Sequence, residues 1–395
     1  MDQDIDQNPV FRRNDRDDIM RTQEILTEYF NKDKKNRFYM ESIIAGGFFG
    51  LTWKLRYMTP ATDSSPTPSA QHIVLKTDRD YTLYVNSSRR PRNVGRSQIP
   101  NEKKWLEVLR WSKHIVNDVT PTKDPLARRF PGVRSHRMGT DNWLYLEWLE
   151  NGTVKNLVGR AIQLGITLPN RLLWRFFLCL IRMCIAMDWP AKKPEDEDPQ
   201  PVREVPDGRA RGGLIHGDMH DENIMFGDFI PDDPDTEHRI TPILKLIDLG
   251  SMQMVEGDGD AMDEVVRDNM FDIGIMMVEL VTLNSNTKRN IRPSESLATK
   301  FRMQSDSQEI MTNGGIILPN GDVNPYPKLD TALRGLICSC LAAKSRSRPL
   351  ASALADVVTT YIENRDEQFY ASRGYQGESD DDIKSILDQL IFNAS

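Results

Sequence analysis

At 395 residues, 39% of them hydrophobic, the chain can bury one large two-lobed domain or two ordinary ones. A formal charge of −7 argues against nucleic acid as a partner of the whole chain. No run of 18 apolar residues occurs, so no membrane-spanning helix is expected, and the acidic start Met1-Asp-Gln-Asp-Ile-Asp6 does not read as a secretory signal. The default is a soluble protein of the cytoplasm or nucleus. The four cysteines, Cys179, Cys184, Cys338 and Cys340, stand in apolar helical contexts and read as reduced core residues. The six histidines show no zinc spacing with them.

In chain order, residues 1–15 are polar and expected to be disordered. Asp18 to Phe30, with apolar residues at 19, 20, 25, 26, 29 and 30, predicts an amphipathic helix that caps the domain. From Met40 to Tyr57, two β-rich runs flank Gly46, Gly47 and Gly50. Such a hairpin can lay backbone N–H groups over phosphates, because glycine permits close approach. Lys76 ends the predicted strand His72-Ile-Val-Leu-Lys76, 26 residues after Gly50. A basic insertion follows, within 80–99. Pro100 to Leu109 predicts a helix with Asn101 as N-cap. It carries Glu102, the acid that would hold Lys76, and Glu107, the fallback. Asn142 to Gly152 reads as a strand ending in a turn. Leu168 to Met187 is expected to be a buried helix. Residues 190–213, with the run Glu195-Asp-Glu-Asp198, read as a flexible acidic insertion. Residues 228–241, with Asp232, Asp233, Asp235 and Glu237, read as a solvated loop.

The most informative stretch is Leu214-Ile-His-Gly-Asp-Met-His-Asp-Glu-Asn-Ile-Met-Phe226, with Leu244-Lys-Leu-Ile-Asp-Leu-Gly250 behind it. Each begins with an apolar run that reads as a buried strand, and each delivers acids into a loop. The spacing His216-x-Asp218-x4-Asn223, with Asp248 25 residues further on, suits phosphoryl transfer. Asp218 would orient an attacking hydroxyl and take its proton. Asn223 and Asp248 would hold Mg²⁺ against ATP phosphates, because hard cations want oxygen ligands.

These residues resemble the catalytic loop and metal-binding loop of the protein-kinase-like superfamily. The form His-Gly-Asp-x-His-x-x-Asn is most similar to its atypical and small-molecule branches, the aminoglycoside and choline phosphotransferase types. The resemblance spans roughly residues 40–365, in the family's order. It extends to the glycine hairpin (Gly46, Gly47, Gly50), to Lys76 and Glu102, and to a hinge in which the backbone of Glu147 and Leu149 would take the adenine edge behind Leu146. Arg267-Asp-Asn269 to Leu283 resembles the central helix of the large lobe. Cys338 to Pro349 resembles the closing segment, whose Arg348 would pair with Glu256.

The resemblance implies an α+β, two-lobed fold: a small lobe, mostly antiparallel sheet with one helix, and a larger mainly α lobe. The domains would be a polar extension with a short helix at 1–36, the small lobe at 37–148, the large lobe at 149–370, and an acidic tail with a helix at 371–395. It implies a kinase using ATP and Mg²⁺, acting on a protein serine or threonine. Gly217 in place of the protein kinases' arginine, and His220 in place of their lysine, favour the alternative of a metabolite kinase. A pseudokinase scaffold is the third reading. With Gly217 there, and only Ser251 as a hydroxyl between Leu249 and Asn269, no phosphorylation-controlled activation segment is expected.

Overall fold

The computed structural model describes residues 16–46, 50–59, 69–78, 98–127, 143–255, 264–302 and 309–392. The fold is α+β, with a four-stranded antiparallel sheet and many helices. The chain divides into two compact units: residues 1–108 with 116–148, and residues 109–115 with 149–395.

The first unit is built on the sheet β1 (Phe38–Gly46), β2 (Gly50–Thr59), β3 (Ser69–Asp78) and β4 (Trp143–Glu147), in that order. In β2 every second residue, Leu51, Trp53, Leu55 and Tyr57, is buried, while the alternating polar residues face outward. That is the period-2 signature of a half-buried strand. Helix α1 (Arg16–Asn31) lays Ile19, Leu26, Tyr29 and Phe30 into the same core. The Phe30 and Phe38 rings stack at 5.1 Å. Ile, Leu and Phe side chains of this kind each contribute about 1.5–3 kcal/mol on full burial. Helix α2 (Ile99–Leu109) begins two residues before Asn101. Asn101 is therefore not the expected N-cap, and Glu102 sits in the first turn with its amide on the Gln98 carbonyl at 2.9 Å. The basic run 87–96 lies outside the described residues.

The second unit centres on α4 (Asn170–Asp188), which follows α3 (Val154–Leu164) and is buried around nearly its whole circumference. Short strands follow: β5 (Leu214–Ile215), β6 (Ile224–Phe226), β7 (Leu244–Leu246) and β8 (Gln253–Met254). β5 pairs with β8, and β6 with β7, both antiparallel. Next come α5 (Asp268–Thr282), α6 (Thr287–Asn290), the hairpin β9 (Thr299–Arg302) and β10 (Glu309–Thr312), and α7 (Thr331–Cys340). At Gly274 an added Cβ would lie 2.9 Å from Leu341, so this contact of α5 accepts only glycine without adjustment. The unit closes with α8 (Ala351–Asn364), α9 (Glu367–Ala371) and α10 (Asp380–Leu387). In α10 the acidic run Asp380 to Asp382 forms the first turn itself, with Ser379 as N-cap, rather than preceding the helix. Ile383, Leu387, Leu390 and Ile391 are buried. All four cysteines are free and buried.

Arg348 is 3% exposed and pairs with Asp268 at 2.7 Å. It also donates to the carbonyls of Ala342 and Arg267. Glu256, the partner expected from the sequence, lies outside the described residues.

Both acidic insertions differ from expectation. Residues 228–241 are not a solvated loop. Asp233 is fully buried, accepting from Lys113 at 2.6 Å and from the His238 amide at 2.9 Å. Glu237 forms a buried pair with Arg182 at 2.6 Å. Within 190–213 the run Glu195 to Asp198 is exposed, but Val202 bridges to Ser112 and Glu204 is fully buried against His114. Burial opposes charging of His114, yet Glu204 and Cys179 raise its pKa to about 10. Burial and the neighbouring His114 press His238 down to about 2. Asp233, Glu237 and Glu204, which a sequence reading assigns to water, meet cations brought from distant segments.

Candidate active site

In the second unit, β5 leads directly into the loop that carries Asp218. His216 is fully buried, and its ring spans that loop. Nδ1 accepts from the Asp218 amide at 3.3 Å, and Nε2 donates to the Ile247 carbonyl at 3.2 Å. Those partners require a neutral ring with its proton on Nε2, in keeping with a pKa lowered by burial. Asn269 of α5 clamps the same backbone, accepting from the His216 amide at 3.2 Å and donating to the Leu214 carbonyl at 2.8 Å. Gly217 has φ +76°, and a Cβ there would stand 3.1 Å from the Ser251 carbonyl oxygen. Glycine is thus required twice over, by the left-handed backbone and by the close approach of the next loop. Asp218 emerges from this rigid turn with its side chain half exposed.

Asn223 is buried and donates its side-chain amide to the Asp218 carbonyl at 2.9 Å. That leaves its amide oxygen, a hard ligand, for another partner. The Asn223 carbonyl accepts from the Ile247 amide at 2.9 Å, so Asn223 and Asp248 are one backbone hydrogen bond and one residue apart. Asp248 sits at φ 60°, ψ 66°, the left-handed region, before a 3₁₀ turn at Leu249–Ser251. Such a conformation at a non-glycine residue costs on the order of 1–3 kcal/mol and gathers at functional sites. The Asn223 amide oxygen and the Asp248 carboxylate are hard oxygen donors, which suit a hard divalent cation and not a soft one.

The structure adds cations and acids that sequence reasoning missed. Lys288, on α6, brings Nζ to 3.4 Å from Asp218 Oδ1 and 3.2 Å from the Met219 carbonyl. Nothing in its local pattern marks it; only the fold carries it across 70 residues. His220 Nε2 is 3.6 Å from Asp218 Oδ2 and 3.1 Å from the Asn223 amide nitrogen. On α5, burial and the neighbouring Asp221 push Glu279 up to about 8. Burial raises Asp272 to about 7, with Lys288 opposing. An apolar helix gave no sequence signal that Asp272 and Glu279 would be pushed up.

In the first unit, Lys76 Nζ meets Glu102 Oε1 at 2.7 Å, with Glu102 2% exposed. Glu107, the fallback acid, is exposed. Gly46 ends β1 opposite Leu51, and Gly50 opens β2 opposite Asp78. Gly47, between them, lies outside the described residues. Leu146 is buried in β4. Glu147 ends β4 with its amide on the Asn117 carbonyl at 3.0 Å and its carboxylate on the Asn117 amide at 2.7 Å. The Glu147 N–H is therefore already engaged within the first unit. Leu149, buried, belongs to the second unit. No protein-family model matches the chain, and no curated protein matches it.

Proposed function

We propose that the chain is an ATP-dependent phosphotransferase of the protein-kinase-like superfamily, passing the γ-phosphate of ATP to a protein serine or threonine. The observation that carries this reading is the turn at Asp218, with Asn223 locked to its carbonyl and Asp248 held in a left-handed conformation beside Asn223. An exposed base next to an all-oxygen donor set is what in-line transfer to a hydroxyl needs. The Lys76–Glu102 pair supports it, since a lysine held by a buried carboxylate is a fixed point charge for phosphates.

In this mechanism Asp218 orients the acceptor hydroxyl and takes its proton as the oxygen bonds to the γ-phosphorus. The bond from that phosphorus to the β–γ bridging oxygen breaks, and ADP leaves with the electron pair. Lys288 holds Asp218 in one orientation. Lys76 neutralises charge on the α- and β-phosphates. Asn223 and Asp248 would hold Mg²⁺, which supplies neutralisation of the phosphate oxygens.

A metabolite acceptor is the second reading, favoured by one observation. Immediately after the 3₁₀ turn, β8 pairs with β5, Met254 opposite Leu214, so residues 249–255 are spent on the fold. A short segment of this kind offers little platform for an extended peptide. The test is a thermal-shift titration with Mg·ATP, followed by radioactive phosphate transfer to peptide and metabolite acceptors. Asp248→Asn is expected to abolish the Mg²⁺-dependent shift while leaving the ligand-free melting curve in place. An undiminished shift would remove the metal role of Asp248, and transfer to metabolites alone would select the second reading.

A further inference from the structure

Three side chains with no shared sequence motif converge in the second unit, apart from the Asp218 loop. His114 precedes the bridge of Ile115 to β7, Cys179 lies on α4, and His238 lies in the 228–241 insertion. They are 0%, 1% and 1% exposed, and their potential ligand atoms all lie within 4.8 Å of one another. Cys179 Sγ is 4.0 Å from His238 Nδ1, and the two imidazole rings are 5.0 Å apart by centroid. The Nε2 atoms of both histidines are buried with no hydrogen-bond partner among the described residues. Leaving a buried polar atom unpaired costs about 1–3 kcal/mol, so two in one cluster need a reason.

From this geometry we propose that His114, Cys179 and His238 bind one Zn²⁺ ion as a structural site. The surroundings are those of a metal centre. Glu204 takes His114 Nδ1 at 2.7 Å and the His114 amide at 2.7 Å, which fixes the ring and turns Nε2 inward. A carboxylate behind a ligating histidine is the usual second layer of a zinc site. Asp233 holds the His238 amide at 2.9 Å. Arg182, one turn beyond Cys179, holds the Glu204 carbonyl at 2.9 Å and pairs with Glu237 beside His238.

Zinc–sulfur bonds of about 2.3 Å and zinc–nitrogen bonds of about 2.0–2.1 Å place tetrahedral ligand atoms roughly 3.3–3.6 Å apart. The present separations reach that spacing through side-chain rotations of the order of an ångström. With the ion displacing the Nε2 proton of His114 and the Cys179 proton, one thiolate, two neutral imidazoles and Glu204 balance a dication to zero net charge, as a buried site requires. The fourth position falls to water. Burial denies a substrate access, so the ion's task is to tie α4, the 228–241 insertion and the segment before β7 together. The Leu246 amide bonds the His114 carbonyl at 2.9 Å, so this anchorage lies two residues before Asp248.

The inference does not depend on phosphotransfer. The full chain, carrying no poly-histidine tag and stripped with a chelator, is titrated with Zn²⁺ and then, separately, with Co²⁺. The expected result is one Zn²⁺ per chain, a melting temperature that rises with Zn²⁺, and a thiolate-to-cobalt charge-transfer band in the near ultraviolet. Cys179→Ser and His238→Gln are expected to lose the bound ion, and Glu204→Gln to weaken it by about 10–100-fold. Absence of uptake by the wild type, or unchanged affinity in both ligand variants, overturns the proposal. Should those variants not fold, the wild-type cobalt spectrum decides: the band supports a thiolate ligand, and its absence removes the site.

Discussion

Residues 214–226 and 228–241 are neighbours in the chain but are held by different physics. The first stretch contains a locally encoded turn, with a left-handed glycine, an imidazole bonded to the amide two residues on and an asparagine bonded to a carbonyl five residues back, which Asn269 and Ile247 then clamp from outside. The second is fixed by partners from elsewhere, Lys113 on Asp233 and Arg182 on Glu237, across 120 and 55 residues. A turn of the first kind has a residue signature. A segment of the second kind looks like any acidic loop until its cations arrive.

The comparison breaks most visibly at Arg182. Arg182→Ala leaves the buried Glu237 only the more distant Arg203 at 3.5 Å and releases the Glu204 carbonyl, so a loss of about 2–4 kcal/mol is expected from urea denaturation. A loss below about 1 kcal/mol, the scale of a surface pair, would return the insertion to a solvated loop. The contrasting change is Asp218→Ala, whose side chain is half exposed and supports no core. Turnover is expected to fall by about 10²-fold or more with melting behaviour and nucleotide affinity unchanged. Near wild-type initial rates on the best acceptor would remove Asp218 from its role as base.

Gly217→Ala tests the local turn alone. Its left-handed backbone costs an L-residue about 1–2 kcal/mol, to which the approach of the Ser251 carbonyl adds. Calorimetry is expected to report a lower melting temperature, and an unchanged one would mean the turn adapts freely.

The last change is at Glu279, whose pKa rises from 4.5 to about 8 because of burial and then Asp221. The native state keeps a proton that the unfolded chain releases, so this group's contribution falls as pH rises from 4.5 toward 8. Glu279→Gln is expected to gain stability relative to wild type on going from pH 5 to pH 8. A stability difference that does not change between the two pH values would show that Glu279 ionises normally.

Much of the local structure was readable from residue order. The β-rich runs on either side of the glycines announced the strands of a hairpin, and the apolar run to Met187 announced a buried helix. Asp218, Asn223 and Asp248 could be singled out from the sequence because they stand at short spacings after strands, and the structure ties Asn223 to the Asp218 carbonyl. Lys288 was not, since a lysine in Thr287-Lys-Arg-Asn290 is indistinguishable from a solvated one. Glu204 was hidden in a proline-rich acidic stretch, where composition predicts solvent.

The sequence by itself determined the period of each strand and helix and the order of acids in the turn at Asp218, because those follow from contacts a few residues long. Only tertiary structure decided which charges are buried and which ring nitrogens face each other. His114, Cys179 and His238 are separated by 65 and 59 positions, and no local interaction links them. Their meeting is set by the packing of α4 against β7 and by the ion pairs that fold the insertion inward, where burial makes every unpaired polar atom costly.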